Sequence, residues 1–310
     1  MHEENTYLDR VTSHTDGIRV ERGITYGHGQ ALDVYTPLDT DGAPVVLLWH
    51  GVGANERDVL ESLARTTAAL GVTVFVPDWQ SGTADGGRAQ LLASLSFTRR
   101  RIAESGGDDG AIVLAGWSRG GKAAAGLAIN PAAVNGWQPS AVVCLGSGFK
   151  NPAPTTGNSV LTDLTSTAAA HVPFWLVHGT KDPVVDISQS REFAALLAQH
   201  GWPVHLEELP TDHAGVVMAH YDPQIRRCRP ATDRDAIEGG RLSARVMHVA
   251  ASAASTHVRV GQTPGNLTHL LRPDSSCAAP LCRAAARVLP VWPWRRKLFR
   301  VGSGSGHAGT

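Results

Sequence analysis

The 310-residue sequence has only four cysteines, which lack the paired spacing or the partner histidines of a zinc site. Neither a disulfide framework nor a structural metal is therefore predicted. No apolar run approaches the roughly 18 residues that a membrane-spanning helix needs. The polar, acidic start MHEENTYLDR is also unlike a secretory signal. These absences favour a soluble cytoplasmic protein.

The sequence also lacks net charge, because 28 basic side chains balance 28 acidic ones. The whole molecule therefore has no net positive charge that would attract nucleic acid, and we expect no nucleic-acid partner. The glycine pair Gly51 and Gly53 follows a predicted strand, but Glu56 stands where the third glycine of a dinucleotide turn belongs. P-loop and HExxH motifs are absent too. We expect no cofactor and no bound metal.

Apolar runs of strand length alternate with helical patterns along most of the chain, which is typical of an α/β fold. The run PVVLLW at residues 44–49 is apolar almost throughout, as in a strand buried on both faces. We predict a mostly parallel, doubly wound sheet with crossover helices, which opens with an antiparallel pair at residues 19–26 and 31–35. Residues 147–166 are rich in Pro, Thr, Gly and Ser and predict a surface loop over the site, without a large cap domain. A last helix is expected near residues 233–252.

The stretch GWSRG places Ser118 between two glycines where a predicted strand meets a predicted helix. A serine on such a sharp turn has a strained backbone, and side chains at Gly116 and Gly120 would collide with it. The turn exposes the hydroxyl above the sheet, and the N–H groups at the start of the next helix point to the same place. This pattern predicts a nucleophilic serine beside a site that stabilises anions.

A serine hydroxyl is a weak nucleophile near neutral pH, so it needs a base and a carboxylate that orients the base. Asp182 and His213 each follow a predicted strand, and the carboxyl ends of parallel strands meet at one edge of a sheet. We therefore expect both side chains to lie beside Ser118.

Neighbouring residues offer alternatives to these assignments. Asp186 could serve as the acid instead, and His220 is a rival base, although it lies past the strand end in a predicted helix or loop. Asp212 is expected to point away from the site. His50 and His178 both precede a glycine at a strand end, and we interpret them as structural hydrogen bonders.

With four short motifs in this order, the chain resembles the α/β-hydrolase fold family of serine hydrolases over roughly residues 23–254. The motifs are HGVG at 50–53, GWSRG at 116–120, HGTKDPVV at 178–185 and TDHAG at 211–215. Within this fold the sequence is most similar to small dienelactone-hydrolase-like and carboxylesterase-like members. The stretch GWSRGG also resembles the serine motif of prolyl-oligopeptidase-type peptidases.

The resemblance implies Ser118 as the nucleophile, His213 as the general base and acid, and Asp182 as the orienting carboxylate. The turn around the serine then forms a nucleophile elbow, whose other residues are Gly116, Trp117 and Gly120. The oxyanion hole is implied to combine the backbone N–H of Arg119 with one from the first loop, either Val52 or Gly53. The loop HGVG departs from the HGGG form of many lipases, so the sequence does not decide which of these two amides is the donor.

These features predict a serine hydrolase that cleaves a small or medium-sized carboxylic ester through an acyl-enzyme. An amidase or peptidase of prolyl-oligopeptidase-like type and a non-catalytic binding protein of the same fold are the alternatives. Residues 1–254 are expected to form the catalytic domain. Residues 255–310 hold eight Lys or Arg against the single Asp274 and predict a basic, disordered tail, whose tryptophans leave open a contact with a membrane surface.

Overall fold

The computed structural model describes residues 12–15, 17–38, 40 and 42–261. All of these residues belong to one compact unit of the chain. The predicted tail lies outside the described residues from residue 262 onward, and its predicted start at residue 255 falls inside the last helix.

Nine strands form one sheet in the order β1-β2-β3-β5-β4-β6-β7-β8-β9. The first four strands of this order pair antiparallel, and every pair from β5 onward is parallel. The strands are β1 (Thr12–Thr15), β2 (Ile18–Gly27), β3 (Gln30–Pro37), β4 (Val45–Trp49), β5 (Thr73–Pro77), β6 (Val113–Trp117), β7 (Ala141–Leu145), β8 (Phe174–Gly179) and β9 (Val204–Leu209). This is the mostly parallel sheet with an antiparallel opening that the sequence predicts.

In the described part of the chain, six α-helices connect or follow the strands and cover both faces of the sheet. Apolar side chains of the first and last helices share one core with one face, and those of the other four share a second core with the opposite face. The helices are α1 (Glu61–Ala69), α2 (Arg88–Glu104), α3 (Arg119–Ile129), α4 (Val160–Ser166), α5 (Ser188–Gln199) and α6 (Arg234–Gly261). The sheet is therefore doubly wound, and the described residues include no large cap domain.

Alternation within the central strands explains these two cores. Along β4, Val46 and Leu48 point into the core beneath α1 and α6, whereas Leu47 and Trp49 point into the other. All four side chains are fully buried, as expected for a strand covered on both faces. Because the strands from β5 to β9 in this sheet order run parallel, their carboxyl ends lie at one edge of the sheet, where the loops that follow them meet.

Two parts of the chain differ from their prediction. The stretch 147–166 is not only a surface loop, because it contains α4 and buries Phe149 and Thr155 against the layer of α3 and α5. After β9 the chain forms a hairpin of β10 (Ala219–Asp222) and β11 (Arg227–Pro230), which the sequence pattern did not indicate. His220 therefore lies in a strand rather than in the predicted helix or loop.

None of the helices among the described residues is both long enough and apolar enough to cross a membrane.

Candidate active site

The turn between β6 and α3 holds Ser118 in a rare backbone conformation. Its φ is 54° and its ψ is −115°, and it stands between the last residue of the strand, Trp117, and the first of the helix, Arg119. A residue other than glycine stays in this region only when its surroundings enforce it. One enforcing contact is the Ser118 N–H, which donates to the Leu145 carbonyl oxygen of β7 at 2.7 Å.

The two glycines around Ser118 are required by close backbone packing. A Cβ atom on Gly116 would overlap the backbone of Gly120 one turn later. A Cβ atom on Gly120 would overlap the carbonyl oxygens of Trp49 and His50 at the end of β4. Side chains are therefore excluded at both positions, which accounts for the GxSxG spacing.

Asp182 and His213 meet at the carboxyl ends of β8 and β9. The Nδ1 atom of His213 lies 2.7 Å from Oδ2 of Asp182, and the carboxylate is fully buried. The other oxygen, Oδ1, accepts hydrogen bonds from the N–H groups of Val184 at 2.8 Å and Val185 at 2.9 Å. The carboxylate is therefore fixed from both sides and faces the imidazole.

A second histidine contacts the same carboxylate, and sequence reasoning did not assign it this place. His178 Nε2 lies 3.2 Å from Asp182 Oδ2 and 2.9 Å from the Val185 carbonyl oxygen. Its Nδ1 atom lies 2.7 Å from the Ser190 hydroxyl, so both ring nitrogens of this fully buried side chain have partners. Its position four residues before Asp182 was the available signal.

These contacts decide the charge of Asp182. Burial raises the pKa of the carboxyl, but the hydrogen bonds from His178, His213 and the Val185 amide outweigh burial and hold the pKa well below its ordinary value. The side chain is therefore ionised at neutral pH and can hold the imidazole of His213 with its proton on Nδ1.

His213 lies at the same edge of the sheet as Ser118. The indole N–H of Trp117 donates to the His213 carbonyl oxygen at 2.9 Å, and the two rings are 5.3 Å apart. A Cβ atom on Gly146, the residue after Leu145, would lie 3.3 Å from His213 Nδ1. Within the described part of the chain the Ser118 hydroxyl makes no hydrogen bond, and such contacts often tighten only when substrate binds.

The loop after β4 passes close to Ser118. A Cβ atom on Gly51 would lie 3.1 Å from the Trp117 ring and 3.6 Å from the Ser118 Cβ. The Glu56 carboxylate lies directly against Gly53. Among the described residues neither the Val52 amide nor the Gly53 amide donates a hydrogen bond, but a carboxylate beside Gly53 would repel an oxyanion there, which favours Val52 as the donor of the two that the sequence left open.

His50 fixes the start of this loop. Its Nε2 atom accepts from the Trp79 N–H at 3.1 Å, so Nδ1 carries the proton and faces the Gly51 carbonyl oxygen at 3.2 Å. Complete burial lowers its pKa to about 3, which keeps the ring neutral. His50 and His178 are thus both buried and hydrogen-bonded, as predicted.

The alternative acid and base have other contacts. Asp186 accepts from the Ser188 N–H at the start of α5. Asp212 accepts from the N–H groups that follow His213 in the same turn. His220 faces the Pro230 carbonyl oxygen across its hairpin at 3.1 Å. The structure therefore pairs His213 with Asp182 and with neither other carboxylate.

Comparison with protein families gives one match. The family model described as Serine hydrolase (FSH1) matches residues 53–214, more than half of the chain. The matched range includes Ser118, Asp182 and His213, and it ends just after the histidine. No curated protein sequence matches the chain.

Solved structures with the same architecture include several esterases. Esterase B from Lactobacillus rhamnosis is 15% identical with a TM-score of 0.61, covering 79% of this chain and 89% of its own. The α/β hydrolase MGS-M1 from a deep-sea metagenome is 17% identical with a TM-score of 0.55, covering 77% and 100%. A Thermogutta terrifontis esterase is 17% identical with a TM-score of 0.55, covering 80% and 97%. At these identities the likeness establishes the α/β-hydrolase fold.

Proposed function

The chain belongs to the FSH1 family of serine hydrolases, and from this premise we propose that it hydrolyses a small or medium-sized carboxylic ester through an acyl-enzyme. The observation that carries the proposal is the 2.7 Å contact between His213 Nδ1 and the buried Asp182 carboxylate, at the sheet edge where the half-buried Ser118 lies. A base that is oriented in this way beside a strained serine is the arrangement that acyl transfer requires.

In the proposed first step, Ser118 Oγ attacks the ester carbonyl and passes its proton to His213 Nε2. The negative charge that develops on the carbonyl oxygen is held by the N–H groups of Arg119 and Val52. The tetrahedral intermediate then collapses, and the imidazolium returns the proton to the departing alkoxide, which leaves as the alcohol. The acyl group is now bonded to Ser118.

In the second step, water attacks the acyl-enzyme and gives a proton to His213, which returns it to Ser118 as the acid leaves. Asp182 stays ionised throughout and stabilises the imidazolium each time it forms. His178 keeps that carboxylate in place. Apart from the ester and water, side chains and amides of the chain supply every group in these two steps.

Ester rather than amide substrates are proposed for two reasons. The solved structures that share the fold include proteins described as esterases. The described residues also contain no large domain over the site that would select peptides, and esters need less help at the leaving group. An amidase of prolyl-oligopeptidase-like type is the other reaction that the same residues could perform.

A comparison of two substrate classes tests the proposal. We expect the purified protein to hydrolyse short-chain para-nitrophenyl esters and to have a much lower kcat/KM for aminoacyl arylamides. The Ser118→Ala variant should lose ester hydrolysis while keeping the wild-type melting temperature. A preference for arylamides would favour the amidase, and equal turnover by wild type and variant would remove Ser118 from the mechanism.

A further inference from the structure

Two cationic side chains follow Ser118 on the first turn of α3. Arg119 is the next residue, and Lys122 lies three positions later, so the two side chains share one side of the helix. Lys122 is only 8% exposed, although it carries an ammonium group. Burial lowers the pKa of Lys122, and the positive charge of Arg119 lowers it further.

Neither cation has a partner among the described residues. Lys122 makes no ion pair and no hydrogen bond there. Arg119 makes no ion pair either, and its Nε atom is buried without a hydrogen-bond acceptor. The Arg119 guanidinium reaches the loop before α2, where a Cβ atom on Gly86 would lie 3.5 Å from Nη2.

The other buried charges in the described residues are paired. Asp33 contacts Arg22 and Arg57, and Asp78 also contacts Arg57. Lys122 is almost as buried as these two aspartates but has no counter-ion.

The Lys122 ammonium keeps some contact with solvent, but a cation that has lost much of its water and has no counter-ion is still costly. Burial and the neighbouring Arg119 charge lower the pKa of Lys122 to about 8, so a large share of the lysine is still charged at neutral pH. An anion from outside the protein would supply the missing partner. The planar guanidinium of Arg119 matches the two oxygens of a carboxylate, and the Lys122 ammonium adds a point charge.

We propose that Arg119 and Lys122 bind a free carboxylate on the acyl part of the ester, so that the preferred substrates are monoesters of dicarboxylic acids. The inference rests on the proposed ester hydrolysis and deepens it. The acyl part is the natural carrier of the carboxylate, because it stays attached to Ser118 through both steps and therefore remains next to the start of α3.

The test uses matched para-nitrophenyl esters. Monoesters of glutaric and adipic acid are compared with esters of the same chain length in which an isopropyl group replaces the carboxylate. The uncatalysed rate is subtracted for each ester. Because a charge-assisted hydrogen bond is worth about a tenfold effect or more, we expect the wild-type kcat/KM to be at least about tenfold higher for the acidic ester.

Two variants assign the preference to the cations. Lys122→Met removes the charge and keeps the length of the side chain, and Arg119→Gln provides a second test if the first variant does not fold. Each should reduce the ratio of acidic to neutral kcat/KM by about tenfold. The matched control is Arg100→Gln, because Arg100 is an exposed arginine near the end of α2, where it contacts Glu104. This control should keep the wild-type ratio.

The outcomes separate the inference from the proposed function. Hydrolysis of the neutral esters without any preference for the acidic ones would overturn the inference and leave ester hydrolysis standing. A preference that survives in both Lys122→Met and Arg119→Gln would also overturn it. Turnover of neither class of ester would contradict the proposed function, and the inference with it.

Discussion

At the scale of single residues, Asp182 is the group on which the site is organised. Its carboxylate contacts two histidines and accepts hydrogen bonds from two backbone N–H groups. Sequence position predicted its place after β8, and the family resemblance predicted its pairing with His213. The contact with His178 depends on how the loop from 180 to 187 folds back on the strand, and the four-residue spacing between the two residues was too weak a signal to predict it.

The Asp182→Asn variant should lose about 10⁴-fold in kcat on an ester substrate, because the imidazole loses the charge that fixes its tautomer. Steady-state kinetics with a para-nitrophenyl ester measures this loss. A variant that stays within about tenfold of wild type would show that another carboxylate orients the histidine.

The same variant tests the lowered pKa of Asp182. Because the folded pKa lies below the unfolded one, the stabilisation by the carboxylate is fully present above about pH 4 and is lost as the pH falls towards the folded pKa. Wild type should be about 1–3 kcal/mol more stable than Asp182→Asn in urea at pH 7. This difference should shrink when the unfolding is repeated at pH 3; an equal difference at both pH values would contradict the assignment.

We expect His178 to act as a positioning residue. Replacing it by Phe removes a hydrogen bond to a charged group, which should lower kcat about tenfold or more while KM changes little. His178→Gln keeps a donor near Asp182 and should recover part of the loss. If the Phe and Gln variants are equally impaired, the residue only fills space.

We expect Lys122 to lower the stability of the folded protein. At pH 7 the Lys122→Met variant should be about 1–3 kcal/mol more stable than wild type, because it removes an unpaired buried cation. The folded pKa, about 8, lies below that of the unfolded chain. The wild type should therefore gain stability as the pH rises from about 8 to 10.5, and the gap in urea unfolding should close. A variant that is less stable at pH 7 would indicate that Lys122 has a partner.

At the scale of elements, the turn between β6 and α3 was the most predictable part of the site. The glycines at 116 and 120 are visible in the sequence, and the overlap of any Cβ atom there with the backbone explains them. The loop after β4 was less predictable, since the choice of donor depends on the Glu56 carboxylate lying against Gly53. The hairpin after β9 was missed because its strands are only four residues long and carry no clear apolar alternation.

Gly116→Ala should destabilise the protein by about 3 kcal/mol or remove soluble expression, because the new methyl group overlaps the backbone of Gly120. Gly82→Ala is the matched control, since a Cβ atom there meets nothing within 4 Å. Thermal unfolding of both variants checks this prediction. Equal melting temperatures would show that the elbow is not as tightly packed as described.

At the scale of the whole molecule, alternating strands and helices predicted the parallel sheet, but they did not predict the order of its strands. The sequence pattern is the same whether β4 lies at an edge or, as here, between β5 and β6. The sequence also did not predict the partial burial of residues 147–166, because a polar composition does not show which few apolar side chains reach the core. Fold class is thus readable from periodicity, whereas arrangement depends on contacts between distant segments.

The architecture brings the loops after β4, β6, β8 and β9 to one edge of the sheet, and the account depends on Ser118 being the nucleophile among them. Labelling with a fluorophosphonate, followed by peptide mapping, tests this most directly. We predict that one label is found per molecule, on Ser118, and that Ser118→Ala takes up none although it folds. Equal labelling of that variant, or a label mapped to a different residue, would contradict the account.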